Sequence, residues 1–201
     1  MNPEFVERER EELFKISALD RYMVGHSGFI AGGCIKNLFS NERMKDIDVF
    51  FSGEEEFHKA QRYFESQADY KKHYENPKVV AFREQKSNQM IELIKATYGT
   101  PEEIISKFDF SITKFAYYKE ANDDTTVYKI IHHKDFFEHL HLKKLVLTQE
   151  ILFPVSTFER TLRYTSYGYG LCRESKIYLL NAIRTTDDAE LVSRNLYFGI
   201  D

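Results

Sequence analysis

The stretch Gly28–Phe51, GFIAGGCIKNLFSNERMKDIDVFF, constrains what this chain can fold into more than any other part of the sequence. An apolar run breaks at the pair Gly32-Gly33, and a short segment follows in which apolar residues recur at helical spacing. The stretch ends in KDIDVFF, where acidic and apolar residues alternate as they do along a strand. It therefore predicts a glycine turn, a short amphipathic helix and a strand, in that order.

Asp46 and Asp48 lie two residues apart on this predicted strand, so both side chains project from the same face. Two carboxylates this close repel each other unless a cation lies between them. Such oxygen ligands suit a hard cation such as Mg²⁺ carrying a nucleotide, and the nearby glycines let backbone amides approach a phosphate. The simpler interpretation is a solvated edge strand with two surface aspartates, beside an ordinary helix N-terminus.

These residues resemble the signature of the nucleotidyltransferase superfamily, in which a Gly-Gly turn precedes an acidic-apolar-acidic strand. The segments GGCIKNLF (32–39) and KDID (45–48) are most similar to the head domain of bacterial poly(A) polymerases and CCA-adding tRNA nucleotidyltransferases. Lys36 stands where that family has Arg, which keeps a cation at this position. Asn37 stands where the family has Asp, which removes a charge.

Two later segments extend the resemblance. The segment FDFSITKFAY (108–117) is similar to the family's Arg-Asp-Phe-Thr-Ile-Asn-Ala-Leu-Ala-Tyr motif, with Asp109 on its acidic position and Phe108 replacing the Arg. The segment 153–169 resembles the part that follows the head, where arginines contact the incoming nucleotide or the polynucleotide. The resemblance implies catalytic and metal-binding roles for Asp46, Asp48 and Asp109. It implies nucleotide binding by Gly32, Gly33, Lys36, Arg160 and Arg163.

The implied fold class is α+β, with a nucleotidyltransferase-type mixed β-sheet flanked by helices and a small C-terminal helical extension. Apolar periodicity and turn residues predict the remaining elements. Helices are predicted over residues 3–23, 52–68, 100–107, from 156 onward and 174–184. Strands are predicted over residues 78–82 and 89–94, which form a hairpin, and over 108–117 and 127–131. Thr100 is predicted to cap its helix together with Glu103 in a capping box.

Length indicates one domain, or one domain with a small appendage. The resemblance implies a nucleotidyltransferase catalytic domain over residues 1–150 and a small helical extension over 151–201. The chain has 201 residues, of which 42% are hydrophobic and 30% charged, as in soluble globular proteins. No apolar run reaches the length of a membrane span and the first residues lack the apolar core of a signal peptide, so we predict no membrane partner and a cytoplasmic location. The net charge of −4 excludes a global basic footprint, so nucleic acid would have to meet a local patch.

The function implied by the resemblance is transfer of a nucleoside monophosphate from an NTP to a hydroxyl acceptor. It would depend on Mg²⁺ or Mn²⁺ and follow a two-metal mechanism. An RNA end is one candidate acceptor, and a protein or a small molecule is another. Two alternatives stay open: a nucleotide-binding regulatory protein without turnover, and a plain interaction module in which the motif is a coincidence.

Overall fold

A mixed β-sheet of eight strands forms the centre of the protein, and helices cover it, as the α+β prediction requires. The computed structural model describes residues 3–122, 125–148 and 151–186. The strands of the large sheet, in chain order, are β1 (Phe5–Glu9), β2 (Phe29–Ala31), β3 (Asp46–Phe50), β4 (Tyr70–Glu75), β5 (Val79–Glu84), β6 (Met90–Ile94), β7 (Phe115–Asn122) and β8 (Thr125–His133). Two short strands, β9 (Lys144–Leu145) and β10 (Gly170–Leu171), pair in parallel as a separate small sheet.

Six α-helices and one 3₁₀ segment connect the strands in the described part of the chain. The helices are α1 (Gly33–Ser40), α2 (Glu54–Ser66), α3 (Pro101–Ser106), α4 (Phe136–His141), α5 (Pro154–Ser166) and α6 (Arg173–Arg184). The 3₁₀ segment runs over Arg10–Met23 and is kinked at Leu13. The end of the predicted extension, residues 187–201, lies outside the described residues, and the predicted division at residue 150 stays a prediction.

The strand order across the sheet is β1-β8-β7-β2-β3-β6-β5-β4. Strand β3 pairs in parallel with β6, whereas every other neighbouring pair in this sheet is antiparallel. On one face, Ile47 and Val49 of β3 pack into the main core with residues of α1 and α2. On the other face, Phe50 packs with α3. The alternation of β3 therefore buries one face completely and leaves Asp46 and Asp48 on the face that also carries α3.

Several predicted elements are confirmed. The hairpin strands are β5 and β6, which pair antiparallel, and α2 and α6 lie where the apolar periodicity predicts helices. The capping box is present at α3, where the Thr100 side chain accepts from the Glu103 backbone and the Glu103 side chain accepts from the Thr100 backbone. Helix α5 begins at Pro154 rather than Ser156, because proline fits the first helical position without losing a hydrogen bond.

Two predictions are wrong, and one strand has no counterpart among the predicted elements. The predicted helix over 3–23 is the strand β1 followed by the 3₁₀ segment, because β8 offers a free edge that the first residues pair with. Strand β4 was not predicted, since its exposed polar sequence YKKHYE has no apolar alternation. The predicted strand over 108–117 begins only at Phe115, and Asp109 lies before a tight turn over residues 111–113.

Candidate active site

The two aspartates of β3 lie side by side on one face of the sheet, as the alternation predicts. Asp46 is exposed and Asp48 is partly buried. Ile47 lies between the two aspartates and Val49 follows them, and both are fully buried. Turning the aspartates to the other face of the strand would therefore expose these core residues. The fold thus holds two like charges together at the place where β3 begins.

The glycine turn brings the N-terminus of α1 to these acids. Gly32 caps α1 with φ 89° and ψ −144°, a backbone conformation that side-chain-bearing residues rarely adopt. Its amide donates to the Phe115 carbonyl at 3.1 Å, which ties the turn to β7. The first amides of α1, beginning with Gly33, have no acceptor within the helix and carry its positive dipole end. Such a turn suits a phosphate.

Cys34 is a buried residue in the first turn of α1. Burial, with the charges of Asp48 and Asp46 adding to it, raises the pKa of the Cys34 thiol. The thiol is therefore a buried neutral group and not a nucleophile. Strand β2 pairs with β3 at Ile30 and Val49, so the glycine turn that follows β2 lies beside the strand that carries the acid pair.

Glu92 is a third acid at this site that sequence reasoning missed. In the parallel pairing of β3 with β6, Glu92 lies opposite Asp48, and its side chain therefore projects from the same face. Burial, with the charge of Asp46 adding to it, raises the pKa of Glu92. The alternation in QMIELI predicts a strand with Glu92 on its polar face. The sequence does not indicate that this strand pairs with β3, so Glu92 could not be placed beside the two aspartates.

The structure does not place Lys36 in the open. Its side chain is buried and its ammonium donates to Glu42 at 2.7 Å. The same ammonium lies 4.8 Å from the ring centroid of Tyr169 and 5.7 Å from that of Tyr164. A role in binding phosphate would require Lys36 to leave this pair, and that role stays a prediction.

Asp109 is held by Arg160 of α5. The Arg160 guanidinium donates to Asp109 Oδ2 through Nε at 2.7 Å and also through Nη2. The side chains of Asp109 and Arg160 are 10% and 6% exposed, so this is a buried ion pair. Arg163, in contrast, is exposed and lies over the Tyr164 ring at 5.7 Å. The predicted roles of Asp109, Arg160 and Arg163 in metal or nucleotide binding stay predictions.

The acids of the sheet fit Mg²⁺ or Mn²⁺ by the chemistry of their donors. Among the residues that the structure describes, no three histidine, cysteine or acidic side chains are already arranged around a common metal position. Mg²⁺ does not need such a cage, because it is usually bound by one or two carboxylates and completed by water and substrate phosphates. Asp46 and Asp48, with Glu92 beside them, supply hard oxygen donors of that kind.

Solved structures with the same fold include CCA-adding enzymes. A complex of such an enzyme with CTP superposes with a TM-score of 0.62 at 17% identity, covering 89% of this chain and 47% of that one. A complex with ATP gives a TM-score of 0.62 at 18% identity over 92% of this chain and 49% of that one. The Thermotoga maritima CCA-adding enzyme in complex with tRNA gives a TM-score of 0.60 at 16% identity, covering 89% of this chain and 46% of that one. The fold is therefore that of nucleotidyltransferases.

Sequence comparison shows the family to which this chain belongs. The profile of the Gabija anti-defense 2 (Gad2) family matches residues 7–143, and the chain belongs to that family. The protein "Gabija anti-defense 2" of Bacillus phage SPbetaL7 is 25% identical over 173 residues, which is 85% of this chain and 39% of that protein. The chain thus spans less than half the length of this relative and of the solved structures above. No helix among the described residues is long and apolar enough to cross a membrane.

Proposed function

We propose that this protein is a nucleotidyltransferase that uses Mg²⁺ or Mn²⁺ to transfer a nucleoside monophosphate from an NTP to a hydroxyl acceptor. One observation carries the proposal: Asp46 and Asp48 project from the same sheet face beside the Gly32-Gly33 start of α1. An acid pair and an open helix N-terminus are complementary to a metal-bound triphosphate. The nucleotidyltransferase fold supports the proposal.

Different residues of the chain would bind the cation and the phosphate. The acids of β3 would hold the cation, with Glu92 as a third carboxylate, and the amides of Gly33 and Cys34 would bind phosphate oxygens. When bound, the cation would neutralise phosphate charge and lower the pKa of the acceptor hydroxyl. The rigid packing of β3 keeps the acids in place, so catalysis would come mainly from positioning and charge stabilisation.

A second candidate is a nucleotide-binding protein without turnover. Two observations favour it: the ammonium of Lys36 is paired with Glu42, and Asp109 is paired with Arg160. Both groups occupy positions that resemble catalytic or phosphate-binding positions in the superfamily. A protein that binds an NTP through Asp46 and Asp48 alone would sequester or sense nucleotide, and the assay below separates the two functions.

The test uses the full chain with each α-³²P-labelled NTP, Mg²⁺ or Mn²⁺, and total RNA, a protein extract or small hydroxyl acceptors. We expect label on one acceptor class, and on the order of a hundredfold less or lower still when Asp48 is replaced by asparagine. Label that appears nowhere, together with measurable NTP binding, would establish the second candidate. Absence of both transfer and binding would refute both candidates.

We further propose that this chemistry serves an anti-defence role, because the chain belongs to the Gad2 family. Bacteria carrying Gabija would be infected with a sensitive phage in the presence of the wild-type chain or its Asp48→Asn variant. We expect plaque numbers to rise with the wild type and not with the variant. Equal rescue by both would show that the anti-defence role does not depend on the acid pair.

Ligand linkage gives a separate prediction. Mg²⁺ together with an NTP should raise the melting temperature, because both bind only the folded site. At a ligand concentration about a hundredfold above Kd the stabilisation is roughly 2.7 kcal/mol, which corresponds to about 5–10 °C for a protein of this size. Mg²⁺ alone should have little effect, since it keeps its waters. Differential scanning fluorimetry measures the shift, and a curve that no NTP moves would contradict the proposal.

A further inference from the structure

We propose that Tyr74 is a positioning residue that holds Glu92 at the acid pair for metal binding. This inference rests on the proposed function, because it assigns a role toward the same cation. Tyr74 lies on β4 at the edge of the sheet, and its hydroxyl donates to Glu92 Oε1. The ring is 39% exposed, so the contact lies at the rim of the site rather than in the core.

The sheet register aligns Tyr74 with the acids. Asp48 of β3 lies opposite Glu92 of β6, Glu92 lies opposite Ala81 of β5, and Ala81 lies opposite Tyr74 of β4. Residues that pair across neighbouring strands project from the same face, so these four side chains form one row. The strands of Tyr74 and Glu92 are about 10 Å apart. Tyr74 reaches Glu92 because Ala81 between them contributes only a methyl group.

A bulge in β4 is what turns Tyr74 toward this face. Lys72 lies opposite Phe82, and Tyr74 lies opposite Ala81, so His73 is an extra residue in β4. In a regular strand His73 would lie opposite Ala81 and Tyr74 opposite Val80, so that Tyr74 would project to the face covered by α2. Bulges redirect side chains and are frequent next to active sites. The irregularity therefore has a specific consequence, which is to bring one hydroxyl to Glu92.

The hydroxyl of Tyr74 can offset the repulsion between the carboxylate of Glu92 and the acid pair. Glu92 is half-buried and lies opposite Asp48 in the register of β3 with β6, and carboxylates this close repel one another when no cation lies between them. A hydrogen bond to Oε1 restrains the side chain against that repulsion and leaves Oε2 for a metal. Partners of metal ligands that act this way typically contribute tenfold to a hundredfold in metal affinity.

The test is calorimetric titration of Mn²⁺-ATP into the full-length wild type and the variants Tyr74→Phe, Glu92→Gln and Tyr74→Phe/Glu92→Gln. The matched control is Tyr70→Phe, a tyrosine of the same strand whose ring packs on Phe64 of α2. We expect Tyr74→Phe and Glu92→Gln each to weaken binding roughly tenfold, and the double variant to bind no more weakly than Glu92→Gln alone. Tyr70→Phe should bind as the wild type does.

The outcomes separate this inference from the proposed function. A wild type that binds neither Mn²⁺-ATP nor the Mn²⁺ complex of any other NTP would refute the proposed function, and the role of Tyr74 with it. Binding by the wild type and unchanged binding by Tyr74→Phe would refute the role of Tyr74 alone. Additive losses in the double variant would do the same, because they would show that Tyr74 does not act through Glu92.

Discussion

Replacing Asp48 with asparagine should lower the rate of nucleotide transfer by a factor on the order of a hundred to a thousand, as for the loss of one group that stabilises the transition state. Asparagine keeps the volume of the side chain and removes the charge that would hold the cation. The fold should be unaffected or slightly stabilised, because the change relieves repulsion from Asp46 and Glu92 in the metal-free protein. Single-turnover transfer and the unfolding midpoint measure the two effects.

The matched control is Asp69→Asn. Asp69 is an exposed aspartate that pairs with Lys86 at 3.1 Å, away from the residues of the site. The same chemical change there should leave transfer unaffected. Near wild-type turnover in Asp48→Asn would remove Asp48 from the catalytic machinery, whereas a fall in both variants would indicate a nonspecific effect of the lost charge.

Replacing Asp109 with alanine should destabilise the protein by about 3–5 kcal/mol, because it leaves Arg160 buried without its partner. The pair is nearly inaccessible to solvent and joins the loop before β7 to α5. The free energy of unfolding, measured by urea denaturation, checks this value. Asp69→Ala should change it by at most about 1 kcal/mol, since an exposed ion pair contributes little.

A double variant distinguishes a structural role of Asp109 from a catalytic one. Asp109→Leu combined with Arg160→Met removes both charges and should recover much of the lost stability. If the recovered protein transfers nucleotide, Asp109 is a structural residue. If Asp109→Ala instead keeps the wild-type unfolding free energy and loses turnover, the ion pair is unimportant and the predicted catalytic role of Asp109 is favoured.

The sequence predicts those parts of the fold that local patterns determine. The Gly32-Gly33 turn, the alternation around Asp48 and the capping box at Thr100 each depend on residues only a few positions apart. Strand β4 escapes prediction because all of its side chains except Tyr70 are exposed, and such an edge strand needs no apolar alternation. The strand over residues 108–114 is wrong because alternation alone cannot exclude a turn that tertiary contacts stabilise.

The candidate site, like the fold, could be predicted only where local patterns determine it. The pair Asp46 and Asp48 can be predicted because both acids lie on one strand. Glu92 reaches them only through the parallel pairing of β3 with β6, and Tyr74 only through a bulge, and neither has a local signature. The partner of Asp109 likewise comes from α5, a distant segment. Residue types were therefore easier to predict than the contacts between them.

The parallel pairing of β3 with β6 also has a kinetic consequence. Asp48 and Glu92 are 92 − 48 = 44 positions apart in the chain, and α2, β4 and β5 all lie between them. Pairing over such a separation must overcome loop-closure entropy, so it follows the formation of helices and hairpins. During refolding, the ability to bind Mg²⁺-NTP should therefore appear later than the far-ultraviolet signal of secondary structure. On the proposed function, nucleotide binding would thus report the moment at which the two halves of the sheet have joined.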